Sequence, residues 1–194
     1  ARKQLLPTYD VFDEKRYFRP AEDSSILKLT FQKQVWKIGI TICEDIWVEQ
    51  CLQNEKIIGK DPLKSLENEK LDLLINLSAS PFIQSKSLLR KQIAAKAATR
   101  LSCPVIYVNQ IGGNDELIFD GSSFTLNKKG KLQQELPPFQ ESVVLCDMAS
   151  LNQQKSISSS YPASQEILFR ALVLGVKDYA KKCNFNSAII GLSG

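Results

Sequence analysis

Three short runs of apolar, largely β-branched residues stand out between the polar segments of the chain. They span residues 35–42, 71–77 and 104–109, and each predicts a buried strand. Between the last two runs, residues 86–101 are rich in helix formers and carry an apolar stripe at four-residue spacing, formed by Leu89, Ile93, Ala97 and Leu101. Strand, helix and strand in this order predict an α/β fold built on a mixed sheet.

Weaker signals flank this centre. Residues 1–30 are polar and irregular, and the charged stretch 50–70 has room for a short helix. Glycine and asparagine predict a turn at 112–115. Alternating positions predict a hairpin formed by 122–127 and 131–136, and a further strand is predicted at 142–147.

The pattern changes after residue 147. Residues 148–161 are polar and Ser-rich, which predicts a linker. We therefore divide the chain into a first domain at 1–147, the linker, and the start of a second domain at 162–194.

The second domain opens with a predicted helix after Pro162, and Asn184 is expected as its cap. Residues 187–192 then predict a strand that leads into Ser193 and Gly194. A strand running into a Ser/Gly loop is how phosphate-binding loops begin, because backbone N–H groups there can face an anion.

Composition and charge indicate which kinds of partner and which cell compartment to expect. The 194 residues carry a formal net charge of +4 with scattered lysines and arginines, so we expect no nucleic-acid or membrane partner. No apolar run reaches membrane-spanning length and no signal-peptide core is present. Five cysteines without a CxxC pair indicate a reducing cytoplasm. The first residue is not methionine and the last follows an apolar run, so we expect both ends to be cut from a longer protein.

The chain contains no histidine. Ser-His-Asp and Cys-His mechanisms are therefore excluded among these residues, and no metal site is predicted. A nucleophile here needs a carboxylate or a lysine as its base.

Cys43 is the sharpest chemical feature of the sequence. It ends a predicted buried strand and is followed by Glu44 and Asp45. A turn at a strand's end exposes a nucleophile, and the next backbone N–H can stabilise an oxyanion. Because the two carboxylates should raise the pKa of the thiol, a nearby cation is needed, and Lys3 is a candidate. A buried structural cysteine and a surface lysine are the alternative interpretations.

Several segments together resemble the carbon–nitrogen hydrolase (nitrilase-like) glutaminase domain of glutamine-dependent NAD synthetases. They are Lys-Gln-Leu-Leu-Pro-Thr-Tyr and the residues after it at 3–14, Ile-Cys-Glu-Asp-Ile-Trp at 42–47, Asn-Leu-Ser-Ala-Ser-Pro-Phe at 76–82, and the turns at 112–116 and 119–121. The last 25 or so residues resemble the start of the synthetase domain of that family. The resemblance implies the C-terminal part of an α-β-β-α sandwich, followed by the first helix and strand of a Rossmann-like ATP pyrophosphatase domain.

The resemblance also implies roles for individual residues. The family's Glu–Lys–Cys triad puts its cysteine on Cys43 and its lysine on Lys3, while its general-base glutamate falls upstream of residue 1. The family's glutamine-binding positions match Tyr9, Glu44, Ser80 and Lys86, and the first residues of its ATP loop match Ser193 and Gly194.

The implied reaction is hydrolysis of glutamine to glutamate and ammonia, followed by ATP- and Mg²⁺-dependent amidation of deamido-NAD. The implied partners are glutamine, deamido-NAD and ATP, with a homo-oligomer for the full-length protein. Because the base and most of the ATP site are missing, we expect residues 1–194 alone to be inactive. Two other functions stay open, namely a stand-alone nitrilase-family amidase and a non-catalytic interaction module.

Overall fold

The computed structural model describes residues 1–9, 11–48, 59–151, 156–159 and 161–193. Its first half contains α1 (Glu14–Tyr17), β1 (Ser25–Phe31), β2 (Gln34–Ile42), a 3-10 turn (Cys43–Ile46), β3 (Leu73–Ser78) and α2 (Lys86–Leu101). Its second half contains β4 (Val105–Asn109), β5 (Ile111–Asn114), β6 (Leu117–Asp120), β7 (Phe124–Leu126), β8 (Leu132–Glu135), α3 (Met148–Leu151) and α4 (Ser164–Lys182).

Six of the strands form one mixed sheet in the order β1-β2-β3-β4-β7-β8. The central strands β2, β3 and β4 are parallel, and the outer pairs are antiparallel. Parallel strands require a crossover connection, which α2 supplies between β3 and β4. The carboxyl ends of β2, β3 and β4 therefore lie side by side at one edge, where α/β sheets commonly bind ligands.

Helix α2 covers one face of the sheet. Its buried stripe packs on inward-facing side chains of the strands, and this core includes Leu74, Ile93, Val105, Tyr107 and Leu126. The helix ends at Ser102, whose φ of 54° gives the left-handed cap that commonly stops a helix. At the β7–β8 turn Gly130 has a φ of 71°, and any Cβ there would lie 2.9 Å from Cβ of Ala95. Glycine is thus required where the hairpin packs on α2.

The opposite face of the sheet is also apolar. Ile40 and Ile75 are register partners on this face, and Ile106 pairs with Ile75 in the next strand. Leu27 and Val108 on the same face are 48% and 41% exposed. A sheet with two apolar faces is typical of the middle of a layered sandwich, in which a second layer covers the other face.

Strands β5 and β6 form a separate two-stranded hairpin beyond the carboxyl end of β4. Helix α4 packs across this hairpin, so closely that a Cβ on Gly113 would lie 3.3 Å from Cα of Gly175. Among the described residues, no helix combines the length and the apolar character needed to cross a bilayer.

The central predictions are confirmed. The strands expected at 35–42, 71–77 and 104–109 correspond to β2, β3 and β4, and the predicted helix at 86–101 is α2. The hairpin expected around 128–130 is β7–β8, and Asn184 follows α4 with a φ of 58°, as a helix cap.

Other predictions are wrong or shifted. Residues 142–147 and 187–192 are not strands, and their apolar side chains lie in solvent, with Leu145 98% and Ile189 102% exposed. Apolar composition alone does not make a strand, and within the described ranges neither segment pairs with another strand to complete a ladder. The first 30 residues, expected to be irregular, include α1 and β1, and the turn expected at 112–115 is centred on 115–116. Within 50–70, residues 62–68 form turns instead of a helix, and 50–58 lie outside the described residues.

Leu74 tests the packing of α2 on the sheet. Leu74 is fully buried, so Leu74→Ala should lower the free energy of unfolding by about 2–5 kcal/mol, through lost burial and the cavity it leaves. The same substitution at Leu88, which is 63% exposed on α2, should change it by about 0.5 kcal/mol or less. Urea denaturation measures both, and equal effects at the two positions would contradict this packing.

Candidate active site

Cys43 sits at the bend where β2 ends and the 3-10 turn begins. Its φ is 50°, a left-handed conformation that costs a non-glycine residue roughly 1–3 kcal/mol and is concentrated at functional sites. The side-chain amide of Asn76 donates to the Cys43 carbonyl at 3.2 Å and to the Thr41 hydroxyl at 3.0 Å. The neighbouring strand β3 thus holds the bend in this strained conformation.

The carboxylate of Asp45 ties the N-terminal segment to this bend. Its Oδ1 accepts hydrogen bonds from the backbone N–H groups of Gln4 (2.9 Å) and Leu5 (2.8 Å), while Oδ2 accepts from Ile42 N–H (3.0 Å). Burial raises the pKa of Asp45, and these three N–H groups partly offset the rise. Through Asp45, residues that are about 40 positions apart in sequence meet around the thiol.

Lys3 is held beside the bend by a second carboxylate. Its Nζ donates to both carboxylate oxygens of Glu14, at 2.8 Å each, and the Lys3 side chain is only 13% exposed. Glu14 begins α1, whose first turn brings it back to face Lys3. An ion pair made inside a cavity fixes the ammonium group in one position.

One cavity of about 160 Å³ contains six of the residues that the sequence singled out, together with Glu14 and an apolar wall. The six are Lys3, Tyr9, Cys43, Glu44, Ser80 and Lys86, and the wall includes Pro7, Phe12, Trp47 and Pro81. These residues come from four separate parts of the chain, at 3–14, 42–47, 79–81 and 86. The structure therefore brings the predicted nucleophile, lysine and substrate-binding positions together in one place.

An acidic and a basic side chain line the same cavity as the thiol. Glu44 is buried and accepts a hydrogen bond from the Tyr9 hydroxyl. Lys86, at the first turn of α2, lies over the Trp47 ring at 5.7 Å, and within the described part of the chain no carboxylate is in ion-pair distance of it. Burial raises the pKa of Glu44 and lowers the pKa of Lys86. For each group, a bound opposite charge would favour the charged form and oppose the effect of burial.

Burial also raises the pKa of the Cys43 thiol above its usual range. The Lys3 ammonium group lowers this pKa, the Glu44 carboxylate raises it, and a hydrogen bond from the Ala79 backbone lowers it. Lys3 is thus the main group that favours the thiolate in this cavity.

The far wall of the cavity is the pocket loop, residues 79–82, which follows β3. Asn109, at the end of β4, holds this loop with its side-chain amide, because Oδ1 accepts from Ser80 N–H at 2.8 Å and Nδ2 donates to the Ser80 carbonyl at 3.2 Å. The Ser80 hydroxyl is buried and lies close enough to the Tyr107 hydroxyl to lower the pKa of that group, although the described residues offer it no hydrogen bond of good geometry. A hydroxyl in a cavity wall can rotate to hydrogen-bond to a ligand.

Three residues that position the site were not assigned these roles from the sequence. Glu14 and Asp45 each belong to a quoted motif, and the strand-end position of Asn109 was read as turn chemistry. The partners of these side chains lie 11 to 41 positions away in sequence, so spacing gave no sign of them.

The predicted start of an ATP loop is not part of this cavity. Ser193 is exposed in an irregular segment, and Gly194 lies outside the described residues. In the described ranges, no group of three or more His, Cys, Asp or Glu side chains is arranged to hold a metal ion.

Comparison with known proteins agrees with this geometry. The profile of the family described as carbon-nitrogen hydrolase matches residues 2–155. The chain belongs to the carbon–nitrogen hydrolase family. The match includes every residue of the cavity.

Relatives of this chain are considerably longer. A glutamine-dependent NAD(+) synthetase from Synechocystis is 47% identical over 196 residues, which cover 99% of this chain and 34% of the relative. The solved glutamine-dependent NAD+ synthetase of Acinetobacter baumannii, in complex with ADP, is 32% identical with a TM-score of 0.75 and covers 93% of this chain and 32% of that one. The chain thus spans about a third of the length of the relatives it matches.

A more distant neighbour is an amidase from Nesterenkonia sp. AN1. It is 18% identical with a TM-score of 0.52, and the alignment covers 70% of this chain and 47% of the amidase. At this level of identity the likeness shows the shared nitrilase-like α/β fold.

The Lys3–Cys43 relation predicts a change in thiol reactivity. Lys3→Ala removes the cation that lowers the pKa of Cys43 and leaves the Glu14 charge uncompensated, so the pKa should rise further. Alkylation of Cys43 by iodoacetamide should then be slower near neutral pH, and its pH profile should shift upward, because the thiolate is the reactive form. Peptide mass spectrometry across pH measures this.

Lys15→Ala is the matched control, since Lys15 is exposed on α1 and is not part of the cavity. An unchanged or downward-shifted profile in Lys3→Ala would mean that Lys3 does not act on the thiol.

Proposed function

We propose that this chain is the nucleophile-bearing part of a glutaminase that supplies ammonia for NAD synthesis. In this proposal Cys43 attacks the side-chain amide of glutamine, and Lys3 stabilises the charges that develop. Tyr9, Glu44, Ser80 and Lys86 bind the amino acid.

The observation that carries the proposal is the pair of opposite charges beside the thiol. Glutamine is a zwitterion whose amino and carboxylate groups lie at the end remote from its amide. Glu44 is complementary to the amino group and Lys86 to the carboxylate, while Cys43 lies in the same cavity. A simple aliphatic amide or nitrile carries neither an ammonium group for Glu44 nor a carboxylate for Lys86, so it would use neither side chain.

The chemistry follows from the groups present. The thiol proton passes to a general base, which by family resemblance is a glutamate upstream of residue 1, and sulfur bonds to the amide carbon. The oxyanion is stabilised by Lys3 and by backbone N–H groups at the strand ends. As the C–N bond breaks, the base returns the proton and ammonia leaves. Water then hydrolyses the thioester, which gives glutamate and regenerates the thiol.

The ligase half of the proposal rests on the relatives. Proteins named glutamine-dependent NAD(+) synthetase align with 99–100% of this chain. We infer that residues 162–194 begin a synthetase domain in which ATP and Mg²⁺ activate deamido-NAD for amidation, and that Ser193 and Gly194 begin its ATP loop. We further propose that the full-length protein is a cytoplasmic homo-oligomer.

A stand-alone amidase is the competing function. It is supported by the fold shared with the Nesterenkonia amidase, which however covers 70% of this chain, against 93% for the A. baumannii synthetase. The paired charges in the cavity also favour an amino acid over a simple amide.

The test uses the full-length protein that contains this chain. NAD formation from deamido-NAD and ATP is measured with glutamine and, separately, with ammonium, in wild type and in Cys43→Ala. We expect the variant to lose at least about 10³-fold of glutamine-driven synthesis and to keep the ammonium-driven reaction, because only the first needs the nucleophile.

Two outcomes would contradict the proposal. Unchanged glutamine-driven synthesis in Cys43→Ala would show that Cys43 is not the nucleophile. No NAD from either nitrogen source in wild type would reject the ligase and leave the amidase as the leading function.

A further inference from the structure

The pocket loop is attached to the region of the chain that follows β4. Ser78, just before the loop, accepts a hydrogen bond from Gln110 N–H at 2.9 Å through its carbonyl, and Phe82 at the end of the loop donates to the Ile118 carbonyl at 2.7 Å. Asn109 holds Ser80 between these two points. The position of the pocket loop therefore depends on the β5–β6 hairpin and its connections.

Asp120, the last residue of β6, links this hairpin to Asn109. It is fully buried, and its carboxylate accepts from Arg90 Nη2 at 2.7 and 2.5 Å and from Asn109 Nδ2 at 3.4 Å. Arg90 is itself 1% exposed. A buried carboxylate with several donors has a fixed orientation, so a displacement of any donor is transmitted to the others.

Tyr161, which is not a cavity residue, supplies another donor to Asp120. It lies in the predicted linker, three residues before α4, and its hydroxyl donates to Asp120 Oδ2 at 3.2 Å. The ammonium group of Lys91 lies over the Tyr161 ring at 5.5 Å. Burial and the Asp120 charge raise the pKa of the Tyr161 hydroxyl, which keeps it protonated as a donor.

Helix α4 holds the other end of the same hairpin. The Asp178 carboxylate accepts from Gly113 N–H at 2.8 Å, and Lys182 donates to the Gly113 carbonyl and, at 3.2 Å, to the Asn114 side chain. Residues 161–182 therefore contact the hairpin at both ends, at Asp120 and at Gly113.

We propose that Tyr161 is a positioning residue for the glutamine pocket: through Asp120 and Asn109 it sets the position of Ser80 and so couples the linker to glutamine binding. The inference rests on the proposed function. Tyr161 is not among the residues that line the cavity, and it acts on the glutamine pocket alone, so its loss should weaken glutamine binding and leave ammonium-driven synthesis unchanged.

The experiment measures steady-state kinetics of the full-length protein carrying Tyr161→Phe, which removes one oxygen atom and keeps the ring. The KM for glutamine should rise roughly three- to tenfold, while kcat with glutamine should change less than about twofold. The reason is that the lost hydrogen bond displaces Ser80, which binds glutamine, and leaves the Cys43 nucleophile in place. The KM for ammonium and the melting temperature should stay at the wild-type values.

Tyr179→Phe is the matched control, because Tyr179 is 62% exposed on α4 and is not part of the cavity. A glutamine KM within twofold of wild type in Tyr161→Phe would overturn the inference. A parallel loss of glutamine- and ammonium-driven synthesis with a lower melting temperature would also overturn it, since Tyr161 would then be merely structural. The proposed function fails separately, if wild type itself shows no glutamine-dependent synthesis.

Discussion

The arrangement of the cavity depends on the Asp45 carboxylate and the three backbone N–H groups that donate to it. The two from Gln4 and Leu5 hold the N-terminal segment against the strand-end bend, and the third, from Ile42, closes the bend that carries Cys43. Without this connection, Lys3 would have no fixed position relative to the thiol. Asp45 therefore joins two segments about 40 residues apart in the wall of one cavity.

The pocket loop, residues 79–82, is likewise held by a buried side chain that hydrogen-bonds to its backbone. Asn109 holds Ser80 as Asp45 holds Gln4 and Leu5, and the parallel strands β2, β3 and β4 bring the two anchors to one edge of the sheet. The charged groups in between, Glu44 and Lys86, are held with their pKa values shifted by burial. The proposed binding of an amino acid requires such a cavity, in which the acidic and the basic side chain are held in place before the ligand arrives.

The sequence predicts the sheet centre well, because the apolar runs at β2, β3 and β4 and the stripe on α2 follow directly from burial. It fails where a strand depends on a partner: β1 was missed because its pairing with β2 is not visible in composition, and residues 187–192 were predicted as a strand although they have none to pair with. At the site, Cys43 stands out by its position at a strand end and Lys3 is a candidate cation. The family resemblance adds their triad roles, and the cavity brings the two residues together. The roles of Glu14, Asp45 and Asn109 could not be predicted, since each depends on contacts between distant segments.

The most direct test is to locate a covalent label from a diazoketone analogue of glutamine, which alkylates a thiolate with loss of dinitrogen. Peptide mass spectrometry of the full-length protein should find the label on Cys43, and excess glutamine should protect against it while acetamide should not. Labelling of a different cysteine, or equal protection by acetamide, would contradict the claim that this cavity binds glutamine for attack by Cys43.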